Sequence, residues 1–275
     1  MHRSLVCLAL SSLFVAVPAS AHVSYTNRDF LANGMFDGAD TYTLGGLRIA
    51  SNFGWADGAD LDQGDSHRVR WTKLVLTEAT AVTVSVSSET VNGLDLLPAF
   101  TVYSGLAPRA AHDGGDHPDF LADFPGYLPT SSFYNGVAAG PWEGALNTVG
   151  SFKISNKQSE VGADWATGML TYVGHAIDGV GVDINGDRVV DYVGDGTADG
   201  FVTATFVLDP GSYSIVFGGA DYAAQYAEPL GTYLAQRGFN ASVMLAPVPE
   251  PETWAMLGLG LVGIGLAVRR RARIG

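Results

Sequence analysis

Asp183, Asn185, Asp187 and Asp191 set side-chain oxygens at offsets of 0, 2, 4 and 8 within nine residues. A looped segment with that spacing can wrap a Ca²⁺ ion, a hard cation that takes several oxygen ligands in loose geometry. Asp195 extends the set. The competing reading is a solvated polar turn whose Asp and Asn side chains only satisfy nearby backbone donors. Two positions depart from the pattern. Arg188 stands where the sharp bend favours glycine, and Gly194 where a final bidentate carboxylate would close the shell.

Other clusters carry less chemistry. Asp57, Asp60, Asp62 and Asp65 precede His67, and like charges this dense repel unless a cation or solvent separates them. Calcium bridging or a plain exposed acidic loop both fit. His112, Asp113, Asp116, His117 and Asp119 have zinc-compatible types, but no evident helix or strand would hold them rigid, so a polar loop is favoured. His175 and Asp178 have the types of a base and its orienting carboxylate, yet no Gly-x-Ser-x-Gly turn supplies a nucleophile. Trp55, Trp142, Trp165 and tyrosines 127, 134, 222, 226 and 233 raise a sugar-stacking reading, against which a β core also consumes aromatics. No set nominates a catalytic constellation, and the expectation is a protein that is not an enzyme.

The elements that must position these groups read as strands. Val82, Val84 and Val86 alternate with Thr83 and Ser85, the period of a half-buried strand. Trp71–Leu76, Ala99–Tyr103, Phe201–Leu208, Tyr213–Phe217 and Ala241–Leu245 follow suit. Asp209-Pro210-Gly211 predicts a tight hairpin joining Phe201–Leu208 to Tyr213–Phe217. Lysine and glutamate are too sparse for long surface helices. The fold expected is all-β, an antiparallel, jelly-roll-like β-sandwich over residues 22–247, with 106–199 as a long irregular insertion.

Both ends differ from this body. Residues 1–21 combine Arg3, an apolar run from Leu5 to Val17, and small residues Ala19 and Ala21 at a cleavage site, the pattern of a secretory signal peptide. Cys7, the only cysteine, falls inside it, so no disulfide braces the exported domain. At the other end, residues 248–275 hold Pro249-Glu250-Pro251, an uncharged run over 254–268, and Arg269, Arg270, Arg271 and Arg273. An apolar run followed by arginines predicts a transmembrane helix with a cytoplasmic stop.

This tail resembles the PEP-CTERM sorting signal of Gram-negative bacteria. The resemblance implies export through the general secretory machinery, a membrane stage held by the C-terminal helix, and processing near the triplet by an exosortase-type membrane protease. It places the product at the cell surface or outside the cell. The Asp183 stretch resembles calcium loops of dockerin and EF-hand type. The strand runs WTKLVLTEATAVTVSV, LLPAFTVYSG and LDPGSYSIVFGGA are similar to accessory sandwiches of the pre-peptidase C-terminal type.

Net charge is −13, and removing both ends takes away five basic residues but only two acidic ones. So acidic a body argues against nucleic acid and anionic membrane as partners and favours cations. The functional expectation is an exported surface or matrix protein with a structural or adhesive role, calcium-stabilised. Its alternatives are an exopolysaccharide-binding module and, less favoured, a secreted hydrolase.

Overall fold

Alternation decides where each strand sits. In Thr80–Glu89 the valines at 82, 84 and 86 are buried while their neighbours face outward, so this strand has one wet side and one dry side. The computed structural model describes residues 23–56, 64–111, 133–134, 137–138, 145–155, 167–183, 190–223 and 235–248. The signal segment with Ala19 and Ala21, the triplet Pro249–Pro251, the apolar run 254–268 and the tail arginines lie outside these residues. No helix among the described residues is long and apolar enough to cross a membrane.

The principal strands are β1 (Met35–Phe36), β2 (Thr41–Ala50), β3 (Arg70–Leu76), β4 (Thr80–Glu89), β5 (Pro98–Ser104), β6 (Phe152–Ser155), β7 (Thr167–Ile177), β8 (Phe201–Leu208), β9 (Gly211–Gly219) and β10 (Gln236–Pro247). They form two five-stranded antiparallel sheets, in the orders β1-β2-β10-β4-β8 and β6-β7-β5-β9-β3. Between them lies a core to which both contribute. Phe217 is its centre, with ring centroids 5.7 Å from Phe239, 5.8 Å from Phe100 and 6.4 Å from Phe30. The chain is the antiparallel β-sandwich that its alternation predicts.

Two expectations are corrected. β8 and β9 do not form a hairpin, since β8 pairs β4 in the first sheet while β9 pairs β3 and β5 in the second. In a hairpin, Val202 and Leu208 would lie on the same side of one sheet as Ile215 and Phe217; here the turn at Asp209 carries the chain across the sandwich, and the two apolar faces meet from opposite sides. Periodicity is identical in both arrangements. The stretch 106–199 is likewise not wholly outside the sandwich. It contributes β6 and β7, which extend the second sheet beyond β5.

That second sheet is covered over most of both sides. On its outer face Trp71, Tyr103, Leu170 and Val216 pack with Val23, Ala107, Ala111 and Leu146, so segments flanking the strands supply another layer of core. At one end the Asn52–Trp55 segment lies directly on Gly218 and Gly219, and a Cβ on Gly219 would overlap the Asn52 carbonyl. Glycine permits that approach. The outer face of the first sheet stays wet. There Thr43, Ser242, Ser85 and Thr203 lie side by side across four strands, as do Thr41, Met244, Thr83 and Thr205. Hydroxyls of Thr83 and Thr205 meet at 2.7 Å, and those of Ser85 and Thr203 at 2.8 Å.

Candidate functional site

The densest side-chain chemistry among the described residues lies on the outer face of the second sheet, where β5 and β7 meet the segments around Trp55 and Thr148. Trp55 is fully buried, and its Nε1–H donates to Thr101 Oγ1 at 2.9 Å. Thr101 in turn donates to the Thr148 carbonyl at 2.6 Å. Tyr103, one pair along β5, donates its hydroxyl to the Asn147 carbonyl. Each of these named side-chain polar atoms thereby has a partner, as a dry site requires.

His175 lies against this wall. Its ring centroid is 5.4 Å from that of Trp55, 6.0 Å from Tyr172 and 6.2 Å from Tyr192. Burial pushes the His175 imidazolium to a lower pKa, and burial likewise pushes the Tyr172 phenol up. Both shifts favour neutral forms. Tyr172 Oη and His175 Nδ1 lie 2.6 Å apart, a hydrogen bond between two neutral groups whose direction follows the imidazole tautomer. The group is a neutral, half-buried imidazole in an aromatic setting.

Asp178 does not orient this histidine. It is buried, and its carboxylate accepts backbone N–H groups of Asp199 at 3.1 Å and Gly200 at 2.8 Å. Burial raises its pKa, an effect those two hydrogen bonds oppose. Its role is to fasten the return of the chain into β8.

Two of the calcium candidates, Asp183 and Asp191, flank a short strand pair. Gly181–Val182 pairs antiparallel with Tyr192–Val193, and Asp191 N–H donates to the Val182 carbonyl at 2.8 Å, so Asp183 and Asp191 stand at its end. Asn185 and Asp187 lie outside the described residues. Asp195 is engaged otherwise, accepting from Gly179 N–H at 3.0 Å and Thr197 N–H at 3.1 Å. No group of three or more His, Cys, Asp or Glu side chains gathers as a metal site among the described residues.

Of the first acidic cluster, Asp65 holds Arg68 through a 2.8 Å ion pair and caps the His67 N–H at 2.8 Å, while Asp57, Asp60 and Asp62 lie outside the described residues. The histidine-containing group at 112–119, Trp142, Trp165 and tyrosines 127, 226 and 233 lie outside them too. Trp55, being wholly buried, offers no face to a sugar ring. Residue types alone passed over Tyr172, Tyr192 and Thr101, which look like ordinary strand residues until pairing sets them beside His175. The signal available for the wet face was the Thr and Ser alternation in β4 and β8.

β10 ends the described body. It is the central strand of the first sheet, and its last residue, Pro247, is in register with Thr80. Residues 247–271 match the PEP-CTERM protein-sorting motif, which marks the chain as an exported protein processed by an exosortase membrane protein. No curated protein matches the chain. Among solved structures it resembles CorA of Methylomicrobium album BG8, described as a surface-associated copper-binding protein important in copper acquisition. That likeness has a TM-score of 0.44 at 17% identity and covers 83% of this chain and 99% of that one. It also resembles the secreted protein MopE of Methylococcus capsulatus, in which an oxidised tryptophan is described as facilitating copper binding, with a TM-score of 0.39 at 15% identity over 80% of this chain and 87% of that one. These likenesses concern overall fold, and no residue role transfers through them.

Proposed function

We propose that this chain is a non-enzymatic surface or extracellular-matrix component, delivered as a finished β-sandwich and released or transferred through its C-terminal motif. The observation that carries the reading is the division between the two outer faces. The second sheet is closed by the chain's own segments, whereas the first presents rows of hydroxyls across four strands. A largely uncharged face on an otherwise acidic body suits contact with neutral matrix material, because contact there desolvates hydroxyls rather than charges. The same face supports the alternative of an exopolysaccharide-binding module.

Calcium belongs to this reading as a stabiliser of the strand pair that Asp183 and Asp191 flank. A second metal reading has one observation in its favour, the neutral imidazole of His175, since imidazole suits zinc and copper. Titrating Cu²⁺ or Zn²⁺ while following tryptophan fluorescence, in the parent and in His175→Gln, tests it.

Sorting is tested on the full chain. Deleting Val248–Gly275, or replacing Glu250 by Ala, leaves export intact and abolishes the processed form. Equal mass and the same cell fraction for parent and deletion overturn the sorting claim. Retention of the exported chain on its host's polysaccharide separates adhesive from purely structural roles. Turnover in a glycosidase, esterase and protease panel that survives repurification overturns the non-enzymatic reading.

A further inference from the structure

We propose that β8 is a self-association edge: two copies of this chain join antiparallel along it, about a two-fold axis at Ala204, so that their first sheets run on as one. The inference is independent of the matrix reading and rests on one strand.

Hydrogen-bond phase decides which groups β8 leaves open. Ser88 N–H donates to the Gly200 carbonyl at 2.6 Å, in line with the register in which Val202 faces Val86 and Ala204 faces Val84. In an antiparallel ladder, alternate residues aim both backbone groups at the same neighbour. Val202, Ala204, Phe206 and Leu208 therefore bond β4, while Phe201, Thr203, Thr205 and Val207 aim their groups away from it. On that side β8 is the end of its sheet. The Asp199 carboxylate takes the Phe201 N–H at 3.0 Å. Among the described residues, nothing bonds the outward backbone groups of Thr203, Thr205 and Val207.

The other sheet edges are short or covered. β1 has two residues and β6 four, and along β3 the Lys73 N–H donates to the Arg28 carbonyl at 2.8 Å. β8 runs eight residues without a bulge, and it has no proline and no charged side chain to discourage pairing.

The strand's own symmetry selects a second copy as the occupant. Its exposed large apolar residues are Phe201, at 44%, and Val207, at 69%, on the same outer face and equidistant from Ala204. Antiparallel self-pairing centred on Ala204 sets Phe201 of each copy opposite Val207 of the other, and Thr203 opposite Thr205. These are the residues whose backbone groups point outward, so each pair exchanges both bonds while its side chains meet on one face. The contact is isologous and closes after two copies. On the inner side, Phe206 and Ala204 are only half-buried in one copy and meet Val202 and Ala204 of the other. A register shifted by two residues sets Phe201 against Asp209 or Val207 against Asp199 instead. In the centred register these two aspartates come opposite each other beyond the strand ends, and their repulsion, which salt screens, opposes the contact.

The exported chain is followed by analytical ultracentrifugation across a concentration series in low and high salt. A monomer–dimer equilibrium that moves toward dimer with concentration and with salt is expected. Thr205→Pro removes an outward N–H and keeps the ladder to β4, the side on which an edge strand tolerates proline. It is expected to weaken dimerisation several-fold, and so is Val207→Glu, which leaves the backbone untouched; monomer melting temperatures should stay close to the parent's. Ala204→Cys tests the register. At the axis the two residues form a non-hydrogen-bonded pair with Cα atoms about 4.5 Å apart, within disulfide range. Mild oxidation should give a covalent dimer, whereas Val75→Cys, on the other sheet, should not. A monomer at every concentration, association of parental strength in Thr205→Pro and Val207→Glu, or no covalent dimer from Ala204→Cys overturns the proposal.

Discussion

Tyr172 Oη lies 2.6 Å from His175 Nδ1, although the two residues are three apart on one strand. In a regular strand an odd separation puts side chains on opposite faces. β7 has a register shift between Tyr172 and Gly174, so that Tyr172 pairs with Tyr103 and His175 with Thr101, both on the outer face. One extra residue resets the alternation. Gly174 then faces inward, where a Cβ would come within 2.6 Å of the Phe206 ring.

The first prediction is a pH effect. His175 has a folded pKa below its ordinary value because burial disfavours the imidazolium. The stability it contributes is present above the ordinary histidine range and is lost as pH falls through the depressed folded value. Lowering pH from about 7.5 to about 5.5 should therefore reduce the melting temperature, in a window above most carboxylate titration. His175→Gln should flatten that dependence. Parallel curves for parent and variant would refute the assignment.

Thr101→Val tests the buried hydrogen-bond chain. The swap keeps shape but leaves Trp55 Nε1 and the Thr148 carbonyl without their partner. An unsatisfied buried group costs about 1–3 kcal/mol. The denaturant midpoint should fall while its slope stays constant. A loss under about 0.5 kcal/mol would mean that water replaces the hydroxyl.

Phe217→Ala should be the most damaging core change, because this ring meets Phe30, Phe100 and Phe239 and belongs to the core shared by both sheets. A truncation of this kind costs about 3–5 kcal/mol. For a domain of this size the melting temperature should drop by about 10 °C. Val207→Ala, at an exposed position of β8, should change it little.

Calcium is tested by melting the exported chain with millimolar Ca²⁺ and with chelator. At a free concentration 100 times the dissociation constant, one site absent from the unfolded chain adds about 2.7 kcal/mol. Asp187→Ala should remove most of the resulting shift, and Asp116→Ala should not. Identical parent curves under both conditions would reduce the Asp183 stretch to a solvated polar turn.

By itself the sequence determined the sorting motif, the β class and the position of most long strands. A sorting motif is a contiguous pattern that needs no fold to be read, and Val82, Val84 and Val86 show a buried face wherever the strand goes. β2 and β7 escaped notice. Gly45 and Gly46 interrupt the first, and the bulge beside Gly174 breaks the alternation of the second, so local period was absent where pairing was present. Only the tertiary structure decided that β8 and β9 face each other across the core, that Trp55 is core rather than platform, that Asp178 serves Asp199 and Gly200 instead of His175, and that Tyr172 meets His175. The physical reason is common to all four. Alternation records which side of a strand is dry, but partner and sheet are set by contacts between residues far apart in the chain, and those depend on how the apolar faces close on one another.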